Sequence, residues 1–276
     1  MTVEKENALI EWLTQHRRVA IGFSGGVDSA YLAAVALEAL GPTHSLALIG
    51  RSDSLAGREE DHATHVARAI GIPALQIDTG ELDDPRYAEN PTNRCYFCKN
   101  VLWLTLLPIA RGRGFDTLVD GTNADDLNDY RPGGRAGVEQ GVRSPLADVG
   151  LTKNEIRELT KSRGWPWWDR PASPCLASRL PYGTPVTTER LRQVELAESA
   201  LRDLGIMGNM RVRHHGDLAR VELDRGLLAE WRMPERFTSL AAAVKSAGFS
   251  QVELDPRGFR SGSLNVLEGG ASLPGN

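Results

Sequence analysis

The architecture of the chain follows from residues 18–41, RVAIGFSGGVDSAYLAAVALEALG. Apolar, partly β-branched residues come first, a glycine pair follows, and helical periodicity continues to the end, which predicts a strand, a tight loop and a helix. Adjacent glycines let backbone N–H groups converge where a Cβ would obstruct, and the helix N-terminus adds positive dipole. The loop therefore suits a phosphate group. Its candidate ligands are Ser24, Gly25, Gly26 and Ser29.

The residues after this loop repeat the same alternation of strand and helix. Strands are predicted at residues 45–49, 74–78 and 117–122, with helices from about Gly57 to Ile70 and from about Cys98 to Arg111. Alternating β and α elements predict a parallel, doubly wound sheet of the α/β class. Ligand sites in such sheets lie at the carboxyl ends of the strands.

The composition is ordinary for a soluble globular protein. The chain has 276 residues, 41% hydrophobic and 25% charged, with a formal net charge of -4. This charge gives no general attraction to nucleic acid or anionic lipid. A membrane-spanning helix needs about 18 consecutive apolar residues, and no run in this sequence approaches that length. The N-terminal segment has the pattern of a charged amphipathic helix. We expect a cytoplasmic protein without a membrane or nucleic-acid partner.

The length predicts two domains, because about 150 residues per domain is usual. Residues 1–171 form the expected nucleotide-binding domain, which ends after a helix with a capping box that starts at Thr152. Residues 172–266 alternate amphipathic helices with short strands and predict a smaller α+β domain. Residues 267–276, rich in glycine and serine, are an expected disordered tail.

Three cysteines provide a second chemical signal. Cys95 and Cys98 stand three positions apart at the predicted start of a helix, and Cys175 is far away in SPCLASRLPYG. An odd number of cysteines argues against a disulfide framework. The alternatives are two thiols in a loop without a further role, a redox pair, a zinc site completed by Cys175 with histidine or water, and a 4Fe-4S cluster on three thiolates with one open iron.

The hexapeptide SGGVDS, residues 24–29, resembles the PP-loop of the adenine-nucleotide α-hydrolase superfamily. It lacks the Gly-Lys-Ser/Thr ending of a Walker A loop. The resemblance implies a PP-loop ATP pyrophosphatase fold and cleavage of ATP between the α and β phosphates. It also implies that the loop holds the departing pyrophosphate while Asp28 helps to hold Mg²⁺, since a carboxylate beside phosphates needs an intervening cation.

The segment DGTNADD, residues 120–126, follows the predicted strand at 117–122. One reading is a solvated Asn/Asp turn, and the other is a contact with nucleotide or magnesium. Its resemblance to GTN segments of PP-loop enzymes favours the second reading, with Asp125 as the candidate. Lys99, beside the cysteine pair, is either a contact to the α-phosphate or a solvated lysine at a helix start.

The segments NDYRPG, CLASRLPYGTPVT, RVRHHGDLARVEL and DPRGFRSGSLN resemble the LarE family of ATP-dependent sulfur transferases. The resemblance implies adenylation of a pyridinium-3,5-biscarboxylic acid mononucleotide, conversion of its carboxylates to thiocarboxylates, and a homo-oligomer. Cys175 matches the family's sulfur-bearing cysteine, which some members sacrifice. The additional Cys95 and Cys98 resemble members with a 4Fe-4S cluster that passes on sulfide, so the expected sulfur source is sulfide or another sulfur donor.

A substrate with a phosphate and two carboxylates needs bidentate cationic donors. Arg211 and Arg213 alternate along a predicted strand and share one face. Without the resemblance they would be surface arginines on an edge strand. Glu198 and Glu222 match acidic family positions and are either metal ligands or solvated. The candidates for substrate anions are Arg179, Arg211 and Arg213, with Arg131 in DYRPG as a further one.

Other functions remain open at this point. A PP-loop tRNA thiolase also uses cysteines, but it needs a positive surface for RNA, which the net charge of -4 disfavours. A glutamine-dependent synthetase would leave the cysteines unexplained. A nucleotide- and zinc-binding module without turnover is the non-enzymatic alternative.

Overall fold

The computed structural model describes residues 2–128, 132–171 and 173–260. Contacts group the chain into two compact units. The first comprises Met1–Tyr87 and Asn93–Ser173, and the second comprises Ala88–Thr92 and the chain from Pro174 onward. The two-domain division at residue 171 stays a prediction. The expected tail at residues 267–276 lies outside the described residues.

The first unit contains a parallel sheet in the order β3-β2-β1-β4. Ala20 at the centre of β1 is in register with Leu46 of one neighbour and Leu118 of the other. The predicted parallel α/β class is confirmed. The strands are β1 (Val19–Gly22), β2 (Ser45–Arg51), β3 (Ala74–Asp78) and β4 (Thr117–Val119).

Eight helices belong to the described part of the first unit, and the last residue of one of them, Ala88 of the helix Pro85–Ala88, is assigned to the second unit. The helix predicted from Gly57 to Ile70 is present with those bounds. The helix predicted from about Cys98 begins earlier, at Arg94, so that it includes both cysteines of the pair. The helices are α1 (Thr2–His16), α2 (Val27–Leu40), α3 (Gly57–Ile70), α4 (Pro85–Ala88), α5 (Arg94–Gly112), α6 (Pro132–Glu139), α7 (Pro145–Asp148) and α8 (Lys153–Ser162).

The central strand β1 is buried on both of its faces. Val19 and Ile21 of β1 pack into one hydrophobic cluster with residues of α1, α2 and α8, whereas Ala20 packs into another with Trp103 of α5. Successive side chains of a strand point to opposite faces, so a strand covered on both sides is apolar throughout. This arrangement confirms the doubly wound prediction and leaves the carboxyl ends of the strands as the place for polar loops.

The second unit has a small mixed sheet with its own core. Strand β5 (Met210–His215) pairs antiparallel with β6 (Leu218–Leu223), which pairs parallel with β7 (Gln251–Leu254). The short strands and amphipathic helices predicted for the smaller α+β part of the chain are present. No described helix in either unit has the length and apolar character needed to span a membrane. The helices of the second unit are α9 (Thr188–Asp203), α10 (Leu228–Trp231) and α11 (Pro234–Lys245).

A short segment before α5 is tied to this second unit. Asn90 is fully buried and adopts φ 56°, a left-handed conformation that asparagine tolerates better than most residues. Its side-chain amide donates to the carbonyls of Pro181 and Thr184, each at 2.8 Å. The N–H of Val186 donates to the carbonyl of Ala88 at 2.8 Å. Ala88–Thr92 is therefore a structural part of the second unit.

Candidate active site

The loop between β1 and α2 forms a small polar cradle. Gly25 adopts φ +71°, and a Cβ there would lie 2.7 Å from the Cα of Ala63, so only glycine fits. The hydroxyl oxygens of Ser24 and Ser29 lie 3.1 Å apart, and the N–H of Gly26 lies 3.4 Å from the hydroxyl of Ser24. These donors surround the N-terminus of α2, where backbone N–H groups attract anions. Ser24, Gly26 and Ser29 therefore lie close together at the start of α2, and their contact with a phosphate stays a prediction.

Asp28 occupies the first turn of α2 next to this cradle. Its Oδ2 accepts a hydrogen bond from Lys153 Nζ at 2.5 Å. Its Oδ1 is buried and has no hydrogen-bond partner of good geometry among the described residues, although the amide of Asn123 is close enough to lower the pKa. Burial raises the pKa of Asp28 by more than Lys153 lowers it. An orphaned carboxylate oxygen beside a phosphate cradle fits a magnesium ligand.

The segment after β4 lies directly against the start of α2. A Cβ on Gly121 would lie 2.9 Å from the backbone nitrogen of Ser29, so the two backbones touch. Asn123 is buried, and its side-chain oxygen accepts from the N–H of Asp125 at 3.0 Å. Asp125 in turn accepts from the N–H of Lys153 at 2.9 Å. Asp125 thus anchors the start of α8, and its direct contact with nucleotide or magnesium stays a prediction.

Lys153 is a candidate site residue that the sequence analysis missed. The predicted capping box of α8 is present, because Thr152 and Glu155 exchange side-chain and backbone hydrogen bonds. It fixes Lys153, the first residue of α8, in its ion pair with Asp28. The partners are separated by 125 positions in the chain. The cap was visible in the sequence, but no local pattern indicates what its neighbour contacts.

Lys99 lies on the exposed side of α5, near its start. Its Nζ lies 5.2 Å from the ring centroid of Trp103, within the range of a cation–π interaction. The same Trp103 ring covers the end of β1, since a Cβ on Gly22 would lie 2.6 Å from it. Lys99 is thus linked through one ring to the strand that leads into the cradle. Its contact with the α-phosphate stays a prediction.

Cys95 and Cys98 both lie in the first turns of α5, one exposed and the other half-buried. Residues three apart share a helix face, so both thiols project on one side. Cys175 belongs to the second unit, where it precedes the 3₁₀ turn Leu176–Arg179 and is half-buried. Within the described residues none of these cysteines forms a disulfide, and no group of three or more His, Cys, Asp or Glu side chains is arranged to hold a metal ion.

Arg179, a predicted ligand for substrate anions, is only 1% exposed. A residue that binds a substrate directly is expected to be more accessible. It makes a bidentate ion pair with Glu198 at 2.8 and 3.0 Å and donates to the carbonyls of Pro174 and Cys175 at 2.6 and 3.0 Å. Burial raises the pKa of Glu198, but the charge and hydrogen bonds of Arg179, together with the N–H of Val212 and the charge of Arg211, outweigh burial and lower the pKa overall. These contacts make Arg179 a support for the Cys175 segment, while a contact with substrate stays a prediction.

Arg211 and Arg213 are also nearly buried, on the face of β5 opposite the core residue Val212. Arg213 pairs with Glu222 at 2.8 Å and donates to the carbonyl of Ser178 at 2.8 Å. The guanidinium of Arg211 lies 5.1 Å from the ring centroid of Phe259. Their shared face is as expected, and their substrate contacts stay predictions.

Three further predicted site residues remain: two glutamates, and one arginine that lies outside the described residues. Glu198 and Glu222, candidate metal ligands, are the ion-pair partners of Arg179 and Arg213. Arg131 lies outside the described residues. The buried charges of the second unit are therefore largely paired with one another, which is how proteins usually retain buried charge.

The chain is similar to several known proteins. A protein-family model described as NAD synthase matches residues 8–90. An uncharacterized protein of Synechocystis sp. is 42% identical over 96% of this chain and 98% of its own length. Pyridinium-3,5-bisthiocarboxylic acid mononucleotide synthase of Lactiplantibacillus plantarum is 34% identical over 95% of this chain and 94% of its own length. NMN synthetase of Francisella tularensis superposes with a TM-score of 0.48 and 21% identity, covering 63% of this chain and 76% of that chain.

The similarity to the Lactiplantibacillus enzyme runs through both units, from the phosphate cradle to the Cys175 segment and beyond. A shared PP-loop alone would match only the first of these regions. Since the match covers nearly the whole of both chains, the chain belongs to the LarE family of pyridinium-3,5-bisthiocarboxylic acid mononucleotide synthases.

Proposed function

We propose that the protein is an ATP-dependent sulfurtransferase that converts carboxylates of pyridinium-3,5-biscarboxylic acid mononucleotide to thiocarboxylates. The observation that carries the proposal is the phosphate cradle beside the half-satisfied carboxylate of Asp28, in a chain of this family. A carboxylate is a poor electrophile because its charge repels nucleophiles and oxide leaves poorly. An enzyme that replaces oxygen by sulfur must therefore activate the carboxylate first.

Activation by ATP uses the residues of the first unit. A substrate carboxylate oxygen attacks the α-phosphorus and forms an acyl-adenylate. The bond between the α-phosphorus and the α–β bridging oxygen breaks, and pyrophosphate leaves with that oxygen and the electron pair of the bond. The N–H of Gly26 and the hydroxyls of Ser24 and Ser29 are the proposed donors to pyrophosphate, as preorganised dipoles stabilise developing charge. Asp28 would hold Mg²⁺, which supplies charge neutralisation of the phosphates when bound. Lys153 orients Asp28, and Lys99 is the proposed contact to the α-phosphate.

Sulfur transfer completes the reaction. A sulfur nucleophile attacks the acyl carbon, and AMP leaves with the electrons of the acyl–oxygen bond. If Cys175 is the nucleophile, a thioester forms, and loss of its Cα proton with cleavage of the Cβ–S bond leaves dehydroalanine. We propose instead that Cys95, Cys98 and Cys175 would be the ligands of a 4Fe-4S cluster. Such a cluster would carry an additional sulfide on its open iron for transfer to the acyl group, and the protein C–S bond would be preserved.

The activation step has a direct isotopic test. The substrate is prepared with heavy oxygen in its carboxylates and incubated with ATP and the purified protein. Adenylation transfers one labelled oxygen to AMP when the acyl group is cleaved, and AMP and pyrophosphate form only when the carboxylate is present. AMP that carries oxygen from water would show simple ATP hydrolysis and contradict the proposal. The Asp28→Asn variant is the control, and it should form little labelled AMP if the reaction takes place at this site.

The metal content has an equally direct test. Anaerobic purification followed by ultraviolet-visible and EPR spectra, with iron, sulfide and zinc analysis, should show about four irons and four sulfides per chain, the composition of a cubane cluster. Zinc without iron would contradict the cluster and favour a structural metal. Sizing of the anaerobic protein also tests the homo-oligomer that the family resemblance implies.

A further inference from the structure

His62 of α3 makes a hydrogen bond to the phosphate cradle from outside it. Its Nε2 lies 3.2 Å from the carbonyl oxygen of Gly25. A carbonyl can only accept, so the imidazole must donate through an N–H on Nε2. Burial and the charge of Arg170 lower the pKa of His62. The neutral ring therefore predominates at neutral pH, and its single proton belongs on Nε2.

This contact fixes the direction of one particular peptide group. The carbonyl of Gly25 and the N–H of Gly26 belong to the same planar trans peptide, in which the two point in opposite directions. With the carbonyl turned to α3, the N–H of Gly26 faces Ser24 Oγ inside the cradle. The next carbonyl, that of Gly26, is already occupied, because it accepts from the N–H of Ala30 at 2.9 Å and from the hydroxyl of Ser29 at 3.1 Å.

The peptide between two glycines is the one most free to turn over. Glycine populates positive and negative φ about equally, so neither neighbour resists rotation of the Gly25–Gly26 plane. In the flipped state the carbonyl oxygen would enter the cradle and the N–H would leave it. An oxygen dipole there would repel phosphate, whereas the native orientation presents a donor. Inside the loop only the long 3.4 Å contact between the N–H of Gly26 and Ser24 Oγ favours the native orientation among the described contacts of this peptide, so a contact from outside the loop can decide it.

We propose that His62 is a positioning residue that locks the Gly25–Gly26 peptide with its N–H toward the phosphate site. The inference deepens the proposed function and rests on it, since it assigns the cradle to the pyrophosphate part of ATP. His62 also lines a cavity of about 410 Å³ outside the loop. The other residues that line this cavity are Arg58, Glu59, Asp61, His65 and Arg170.

A matched pair of substitutions isolates the hydrogen bond. Glutamine and methionine are unbranched, similar in length and similar in helix propensity, but only glutamine carries an N–H that can replace Nε2. His62→Met should weaken binding of inorganic pyrophosphate with Mg²⁺ by about 5- to 10-fold, the scale of one lost neutral hydrogen bond. His62→Gln should retain most of the affinity. His65→Met, an exposed position in the same cavity, is the control and should bind as the original protein does.

Titration calorimetry on the full chain measures these affinities, with thermal unfolding to confirm that each variant is folded. Equal affinity of His62→Met and the original protein would overturn the inference, as would equal weakening by methionine and glutamine. Absence of pyrophosphate binding in the original protein would instead overturn the proposed function. Failure of the cradle assignment and failure of the His62 assignment are thus separate results.

Discussion

Asp28 must be ionised to hold a cation, yet it is largely buried beside a single lysine. We predict that Asp28→Asn lowers carboxylate-dependent pyrophosphate release by about 100-fold or more, the scale of losing a preorganised electrostatic contact. The fold should persist, because asparagine has nearly the same shape as aspartate. Pyrophosphate release near the original rate would remove Asp28 from the site.

The raised pKa of Asp28 also sets a pH dependence. Burial raises this pKa above the ordinary 3.8 and Lys153 opposes the rise. The ionised form prevails above the raised pKa, so activity should be lost as the pH falls through it. Lys153→Met removes the opposing charge and should move the acidic limb of the kcat/KM profile to higher pH. An unmoved limb in this variant would show that Asp28 is not the titrating group.

A substitution of Arg179 can distinguish a structural role, in which it holds the Cys175 segment, from a role in binding substrate. Removing one partner of a buried ion pair leaves an uncompensated charge, so Arg179→Met should destabilise the protein by about 3 kcal/mol or more. The double variant with Glu198→Gln removes that charge and should recover much of the loss. Urea denaturation measures both. Unchanged stability with weaker substrate binding would assign Arg179 to the substrate pocket instead.

At the scale of elements, the cap of α8 connects stability to the site. Thr152→Ala removes the side-chain acceptor for the N–H of Glu155 and should cost about 1 kcal/mol. Because Lys153 is the next residue, pyrophosphate release should fall as well, by up to about 5-fold, the rate equivalent of that energy. Thr152→Ser keeps the hydroxyl and should behave as the original protein. If Thr152→Ala loses stability but keeps full activity, the cap does not position Lys153 for catalysis.

The elements were largely predictable, and the contacts between them were not. Helix α3 matched its predicted bounds because its amphipathic period is clear and Gly71 ends it. Helix α5 began earlier than predicted, since the periodic apolar residues start only after the cysteine pair. The cradle was recognised from a contiguous hexapeptide. Lys153 and His62 reach that cradle from distant segments, so only tertiary packing identifies them. The charge of Arg179 was evident, whereas its burial depends on Glu198.

At the scale of the whole molecule, activation and sulfur transfer should be separable. Replacement of any one of Cys95, Cys98 and Cys175 by alanine should abolish thiocarboxylate formation, because three thiolates are needed for the proposed cluster. Each variant should still release pyrophosphate, because the cradle contains no cysteine. Intact-mass measurement after turnover adds the decisive comparison. An unchanged mass over several transfers supports cluster sulfide, and a loss equal to hydrogen sulfide at Cys175 supports the sacrificial cysteine.

The assignment of Ala88–Thr92 to the second unit limits how this gene can be recombined. A fragment that starts at Pro174 would lack Asn90 and leave the carbonyls of Pro181 and Thr184 without their amide donor. A chimera that takes the second unit from a relative therefore needs three junctions, after Tyr87, Thr92 and Ser173, rather than one. Exchanges at a single crossover would separate residues that fold together, so the two units are expected to be inherited as a linked pair.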